Sequence, residues 1–339
     1  MSTTESDSFP VYSHEDVMRM SFEEIKDLLD GAKFPVRAAL DRLSQLNKSW
    51  TIFGEDDKKS FLHCAAEQGD CESINRLMYH KVYPVDTHIV EQVDYLIFMN
   101  QTPLYSACEN GHLEAAKLLV RYGADVNEGA ALKYPILFAA IHGGNMEIFD
   151  FLIASGANIT TKDIFNRHCL CEAVCCGRTE FIDKLVEMGL DPYYVSNISW
   201  NLLHEACEKP KYEMFKKLLD SFKLDPYAFD DNDMRPIDLL VINGTREILE
   251  LVDSYGIEIR KYNPKTKLFP LQTAVEMNNL EIAAFLLEKG ADPKAFSSRN
   301  NKSISPLPVA ILYGYVQMVD LLIKYGAPYR NNYYLVLDA

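Results

Sequence analysis

The stretch Thr102-Pro-Leu-Tyr-Ser-Ala-Cys-Glu-Asn-Gly-His-Leu-Glu-Ala-Ala-Lys-Leu-Leu-Val-Arg-Tyr-Gly-Ala-Asp-Val-Asn127 decides the fold. It contains a short helical pattern ended by Gly111, a second one from Leu113 to Val120 with apolar residues at helical spacing, and a stop at Gly123-Ala-Asp. The same order of chemistry recurs along the chain at steps of about 33 residues, the signature of a repeat array. With Thr102 as first position, equivalent starts fall at Pro135, His168, Asn201, Arg235, Phe269 and Ser305, and upstream at Ser60, giving eight units. The third position is Leu62, Leu104, Leu137, Leu170, Leu203, Ile237, Leu271 and Leu307. The sixth is Ala65, Ala107, Ala140, Ala173, Ala206, Ala274 and Ala310, with Leu240 the exception. A small residue there lets the first helix of one unit lie close to that of the next. Gly69, Gly111, Gly144, Gly177, Gly244 and Gly314 follow the first helix and are expected to supply the left-handed turn into the second; Pro210 and Asn278 stand in their place in the fifth and seventh units.

Composition agrees with a one-dimensional array. Of 339 residues 48% are hydrophobic, too many for disorder, and a repeat stack accommodates the length without two or three separate domains. The formal net charge is −15, with acidic residues spread along the chain and no basic stripe visible in the linear sequence, so nucleic acid is not an expected partner. No apolar run reaches the roughly 18 residues of a membrane span, so no membrane insertion is expected. The N-terminal Met1-Ser-Thr-Thr-Glu-Ser-Asp lacks the basic start and apolar core of a secretory signal. Eight cysteines in such a chain read as reduced thiols, and the cytoplasm is the expected location. There is no phosphate-cradling glycine loop and no serine elbow, and acidic residues read as solvated helix faces; no enzymatic activity, metal or cofactor is expected.

The recurrent pattern resembles the ankyrin repeat, whose consensus runs Thr-Pro-Leu-His-x-Ala-Ala-x-x-Gly-His, then an outer helix, then Gly-Ala-Asp. The resemblance covers residues 60 to about 328. It implies an all-α repeat solenoid: helix-turn-helix pairs with β-hairpin or loop tips. Residues 1–59 fall outside the repeat and are expected to form a helical N-terminal cap, because the first unit has an apolar side to cover. Ser13-His-Glu-Asp and Ser21-Phe-Glu-Glu read as capping boxes, Ile25, Leu28 and Leu29 as an amphipathic face closed by Gly31, and Pro35 as the start of a helix carrying Val36, Leu40, Leu43 and Leu46. A second reading of the same segment is a divergent F-box, since Phe22-Glu-Glu-Ile and Leu43-Ser-Gln-Leu-Asn-Lys-Ser-Trp50 are loosely similar to that motif; its leading Leu-Pro is missing. An F-box would make the chain a substrate-recognition adaptor of a ubiquitin ligase. Residues 329–339 form a short tail in which Tyr333-Tyr-Leu-Val-Leu could fold back over the last unit, unless the natural chain extends further. Between the first two units, roughly Val82 to Asn100 is an unusually apolar insertion.

By resemblance, such domains bind partners through the tips that precede each unit and the exposed face of the inner helix. Carried onto this chain, those positions hold Phe98, Met99, Leu132, Tyr134, His142, Ile164, Phe165, Arg167, Cys175, Ile198, Trp200, Glu208, Met234, Leu268, Met277 and Tyr313. Solvent alone would select polar residues there, so the run of apolar and aromatic types points to a contact surface. The competing reading is that neighbouring tips pack on one another. The expected function is a scaffold, adaptor or regulatory module that binds a protein or peptide. The acidic field favours a basic partner, and the chain is expected to be monomeric on its own.

Three groups carry possible chemistry. His168-Cys-Leu-Cys-Glu-Ala-Val-Cys-Cys176 brings Cys171 and Cys175 to one helix face, with Cys176 beside them, which offers a thiol or metal site as an alternative function. The paired Cys-x-x-Cys spacing of zinc sites is absent, and small thiols also suit small-residue positions. His63 and His204 stand at the fourth position, where the family's histidine bridges hairpins. Asn127 resembles the asparagine hydroxylated in some ankyrin repeats.

Overall fold

The computed structural model describes residues 11–29, 34–46, 48, 60–86, 92–93, 96–97, 102–127, 135–299 and 302–328. Each inner helix starts one residue after the start read from the sequence. They are Phe61–Glu67, Pro103–Glu109, Ile136–Gly143, Cys169–Cys176, Leu202–Ala206, Pro236–Asn243, Pro270–Glu276 and Pro306–Leu312. The reason is local. Ser60, Thr102 and Asn201 accept hydrogen bonds from the amides of His63, Tyr105 and His204, so they cap the helix rather than join it. Pro103, Pro236, Pro270 and Pro306 occupy the first helical turn, where the missing N–H is not needed. The outer helices follow: Cys71–Tyr79, Leu113–Arg121, Met146–Ala154, Thr179–Glu187, Tyr212–Ser221, Arg246–Ser254, Leu280–Glu288 and Val316–Lys324.

Gly144 turns between helices at φ 67°, in the left-handed region, and Asn278, which replaces glycine in the seventh unit, adopts φ 52°. Gly244 departs from the expectation. Its φ is −77°, so it does not supply a left-handed turn. A Cβ there would lie 2.4 Å from the Leu240 carbonyl oxygen, so close approach to that carbonyl excludes a side chain.

By contacts the chain divides into Met1–Glu172 and Ala173–Ala339, the division falling within the inner helix of the fourth repeat. In the first unit, helices His14–Arg19 and Phe22–Asp27 each carry the capping box read from the sequence, at Ser13 and Ser21. Helix Val36–Gln45 packs against His14–Arg19 and against both helices of the first repeat. Val17, Ile25, Leu29, Val36, Leu40 and Leu43 are fully buried. Arg37 pairs with Glu72 at 2.7 Å and Arg76 with Asp41 at 2.8 Å, joining this segment to the first outer helix. Helix Val36–Gln45 thus buries apolar residues between helix His14–Arg19 and the first repeat. Gly31, Trp50 and the tail Tyr333–Leu337 lie outside the described residues. Within the insertion, Gln92–Val93 pairs antiparallel with Leu96–Ile97.

In the second unit, inner helices of successive repeats pack on one another, as do the outer helices. Ser297–Arg299 pairs antiparallel with Lys302–Ile304 to form the hairpin before the eighth repeat. Of the sixth-position residues, Ala274 and Ala310 are fully buried and Ala206 and Leu240 nearly so. The larger Leu240 borders an apolar cleft that Leu203, Phe215, Val252 and Ile257 also line.

Arg235, at the start of the sixth repeat, is buried although it is charged. Its guanidinium holds both carboxylate oxygens of Asp238 at 2.8 Å and donates to the carbonyls of Lys261 and Tyr262 at 2.8 and 3.1 Å. Asn263 Nδ2 donates to the same carboxylate (2.8 Å) and to the Asp233 carbonyl (2.9 Å). The network ties the sixth tip to the seventh. Removing one member leaves the other charge buried without compensation, so Arg235→Ala is expected to cost about 3–5 kcal/mol. Denaturant unfolding monitored by circular dichroism measures it; a loss below about 1 kcal/mol would show that the pair contributes no more than a surface one.

Candidate interaction surface

The tips are built on a recurring device. A short acceptor side chain opens the loop and binds backbone amides two to four residues on, as in an Asx-turn. Asp163 accepts from the amides of Phe165 and Arg167 and from Arg167 Nε, at 2.9, 2.8 and 2.8 Å. Asp230 accepts from the amides of Asn232 and Met234, both at 2.8 Å. Asn263 accepts from those of Lys265 and Thr266 at 2.9 and 3.0 Å. The loop then closes through a residue with positive φ: Asn166, Ser199, Asp233 or Lys267.

In the first unit this places Ile164 and Phe165 on the surface, and the Arg167 guanidinium lies 5.5 Å from the Phe165 ring centre. Arg167 is half-buried and its second nitrogen is 3.9 Å from Glu172. Beside the tip, exposed His142 directs Nδ1 at Glu109 (3.2 Å) and Nε2 at Glu172 (2.8 Å). Three consecutive repeats are thus bridged along their inner helices. Phe98, Met99, Leu132 and Tyr134 lie outside the described residues.

In the second unit the tips do pack on one another. Trp200 is half-buried: its Nε1 donates to Asp230 at 3.0 Å, and its ring stacks on His204 with centroids 6.1 Å apart. Ser199 Oγ donates to Asp231 (2.6 Å), and the Asp231 amide to the Ile198 carbonyl (3.3 Å). Ile198, Met234 and Leu268 are half-buried, whereas Glu208, Met277 and Tyr313 are exposed. The sequence reading missed Asp163, Asp230 and Asn263 as builders of the tips. Their recurrence a few residues before the starts His168, Arg235 and Phe269 was a usable signal.

The cysteines have individual surroundings. Cys171 is buried, with Sγ 3.7 Å from His168 Nδ1. Half-buried Cys175 donates to Glu208 at 3.0 Å. Among the described residues, neither Cys171 nor Cys175 belongs to a group of three side chains close enough to share an ion. Burial pushes the thiols of Cys108, Cys169 and Cys207 upward, which disfavours the reactive thiolate. Asn127 accepts from the Asn158 amide (2.9 Å) and donates to the Gly156 carbonyl (3.0 Å), so its side chain links two successive repeats.

Ankyrin-repeat models match three times, over residues 62–163, 136–230 and 237–332. The chain belongs to the ankyrin-repeat family. Ankyrin repeats mediate protein–protein interaction, and the family's all-α repeat-solenoid class is the one read from the sequence. Among curated relatives, alpha-latrotoxin-Lg1a of Latrodectus geometricus is 29% identical over 104 residues, 30% of this chain and 8% of that protein. The putative ankyrin repeat protein FPV222 of fowlpox virus (strain NVSL) is 31% identical over 134 residues, 39% of this chain and 17% of that one. This chain therefore spans a small part of each. Among solved structures, the ankyrin repeat domain of Bcl-3, a member of the IkappaB protein family, aligns with 57% of this chain and 86% of its own at 24% identity and TM-score 0.48. No helix among the described residues is long and apolar enough to cross a membrane.

Two measurements follow from the site chemistry. Burial holds the His204 pKa below its ordinary 6.5, so the unfolded chain takes up the proton first as pH falls. The stability contributed by neutral His204 is complete above that value and is lost on acidification below it. Denaturant midpoints at about pH 7.5 and 5.5 should drop more for the wild type than for His204→Gln; equal drops would assign the loss to other groups. Alkylation should label Cys175 and Cys176 in the native protein and reach Cys108, Cys169 and Cys207 only on unfolding. Native labelling of the latter three would contradict the packing.

Proposed function

We propose that this chain is a non-enzymatic scaffold or adaptor that holds a segment of a partner protein on its repeat tips and inner-helix faces. The observation that carries this reading is the pair Ile164 and Phe165, two exposed apolar side chains on a loop held by three hydrogen bonds to Asp163. A stiff mount lowers the entropic cost of binding, and an aromatic anchor contributes on the order of 2 kcal/mol when a partner covers it. Glu109 beside it, and Glu208 and Asp231 in the second unit, give the surface acidic points that favour basic residues on the partner.

The test is affinity capture from source cells with wild type, Phe165→Asp and Tyr79→Asp, the last altering an exposed aromatic on an outer helix. A protein recovered by wild type and Tyr79→Asp is expected to fall about tenfold or more with Phe165→Asp, as loss of one hot-spot anchor implies. Equal recovery with all three would remove the tip from the binding surface.

A further inference from the structure

The chain is strongly acidic, yet no acidic residue occurs between Glu258 and Glu276 or between Asp292 and Asp320. The fold brings these two stretches together. The inner helices of the seventh and eighth repeats pack on each other, and the Phe269 amide donates to Ser297 Oγ at 3.1 Å. The seventh tip exposes Lys261, Lys265 and Lys267. Arg299 and Lys302 are partners in backbone register on the next hairpin. The carboxylates of Asp238 and Asp233 reach this tip; Asp238 accepts from Asn263 Nδ2 at 2.8 Å and is held by Arg235. Asp233 pairs with Lys265 at 2.8 Å, and half-buried Glu276 accepts from Gln272 at 3.0 Å. On the inner helices of the same two repeats, Met277, Leu312 and Tyr313 are 55, 56 and 61% exposed. These two repeats thus carry a lysine-bearing tip together with exposed apolar side chains at the ends of their inner helices, in or beside stretches free of acidic residues.

We propose that the seventh and eighth repeats form a docking site for an acidic, apolar-bearing segment of a partner protein, whose carboxylates meet the lysine tip while its apolar side chains cover Met277, Leu312 and Tyr313. Charge complementarity selects this occupant: elsewhere the net charge of −15 repels acidic chains, so such a segment is steered to this end. A peptide is favoured over nucleic acid because a phosphate backbone makes no use of exposed Met277 and Leu312. The proposal rests on the protein-binding reading above and adds where along the repeats, and with which chemistry, one partner segment sits.

A phage-displayed random peptide library, selected on the immobilised full-length protein, tests it. Pools from the wild type should be enriched in Asp or Glu together with Leu, Ile, Met or Phe. A synthetic peptide of the enriched sequence should bind about tenfold or more weakly to Lys261→Gln/Lys267→Gln and to Met277→Asp/Tyr313→Asp, and more weakly as salt rises from about 0.05 to 0.3 M. Thermal melting checks that each variant folds. The lysine pair is exposed, so its substitution tests the charge requirement even if the apolar pair unfolds. Pools no more acidic than the input, pools indifferent to both variants, or no enrichment would each overturn the proposal. Full displacement by oligo-dT at equal concentration would assign the surface to nucleic acid instead. Failure to select an acidic peptide while Phe165-dependent capture persists sinks this proposal alone; selection of one while Phe165→Asp leaves capture unchanged sinks the tip reading and leaves this one standing.

Discussion

Close approach of neighbouring inner helices is the constraint on which the rest depends. A single helix pair of this size cannot bury its own apolar face, and it becomes stable only when the next pair covers it. The alanine at the sixth position suits that contact, and it is buried in repeat after repeat. Where Leu240 takes the position, its larger side chain lines an apolar cleft with Leu203, Phe215, Val252 and Ile257. Everything at the surface, from the tip loops to the exposed ends of the inner helices, is held in place by this packing.

The helical frame was legible in the sequence because it is written in local chemistry. Caps at Ser60, Thr102 and Asn201, and prolines one residue later in several units, determine where each helix begins without reference to anything distant. Gly244 shows the limit of that kind of reading. The residue type was legible, but its role depends on a carbonyl four residues away rather than on a left-handed turn. Arg235 shows the same limit more strongly. Nothing in its neighbours announces that a charged residue at a repeat start will be buried against carbonyls from the following tip.

The candidate surface was legible in part, and for a physical reason. Sequence position identified which residues sit on tips and which at inner-helix ends, and Ile164 and Phe165 on a tip, and Met277 and Tyr313 at inner-helix ends, are exposed. It did not reveal that Trp200 would spend one edge on Asp230, thirty residues on. Nor did the absence of a linear basic run exclude a basic patch, because stacking brings Lys261–Lys267 beside the hairpin of the eighth repeat. Net charge describes the long-range field of a molecule; a docking partner feels the few groups within a Debye length of it.

The bond from Trp200 to Asp230 has a consequence for how such a protein changes over generations. Asp230 shapes its own loop and also receives the indole of the preceding one, so neither loop can be rewritten alone without stranding a polar group of the other. Recombination that shuffles single modules would break this joint, whereas transfer of two adjacent modules would carry it intact. In this part of the chain the smallest heritable piece of recognition is therefore a neighbouring pair.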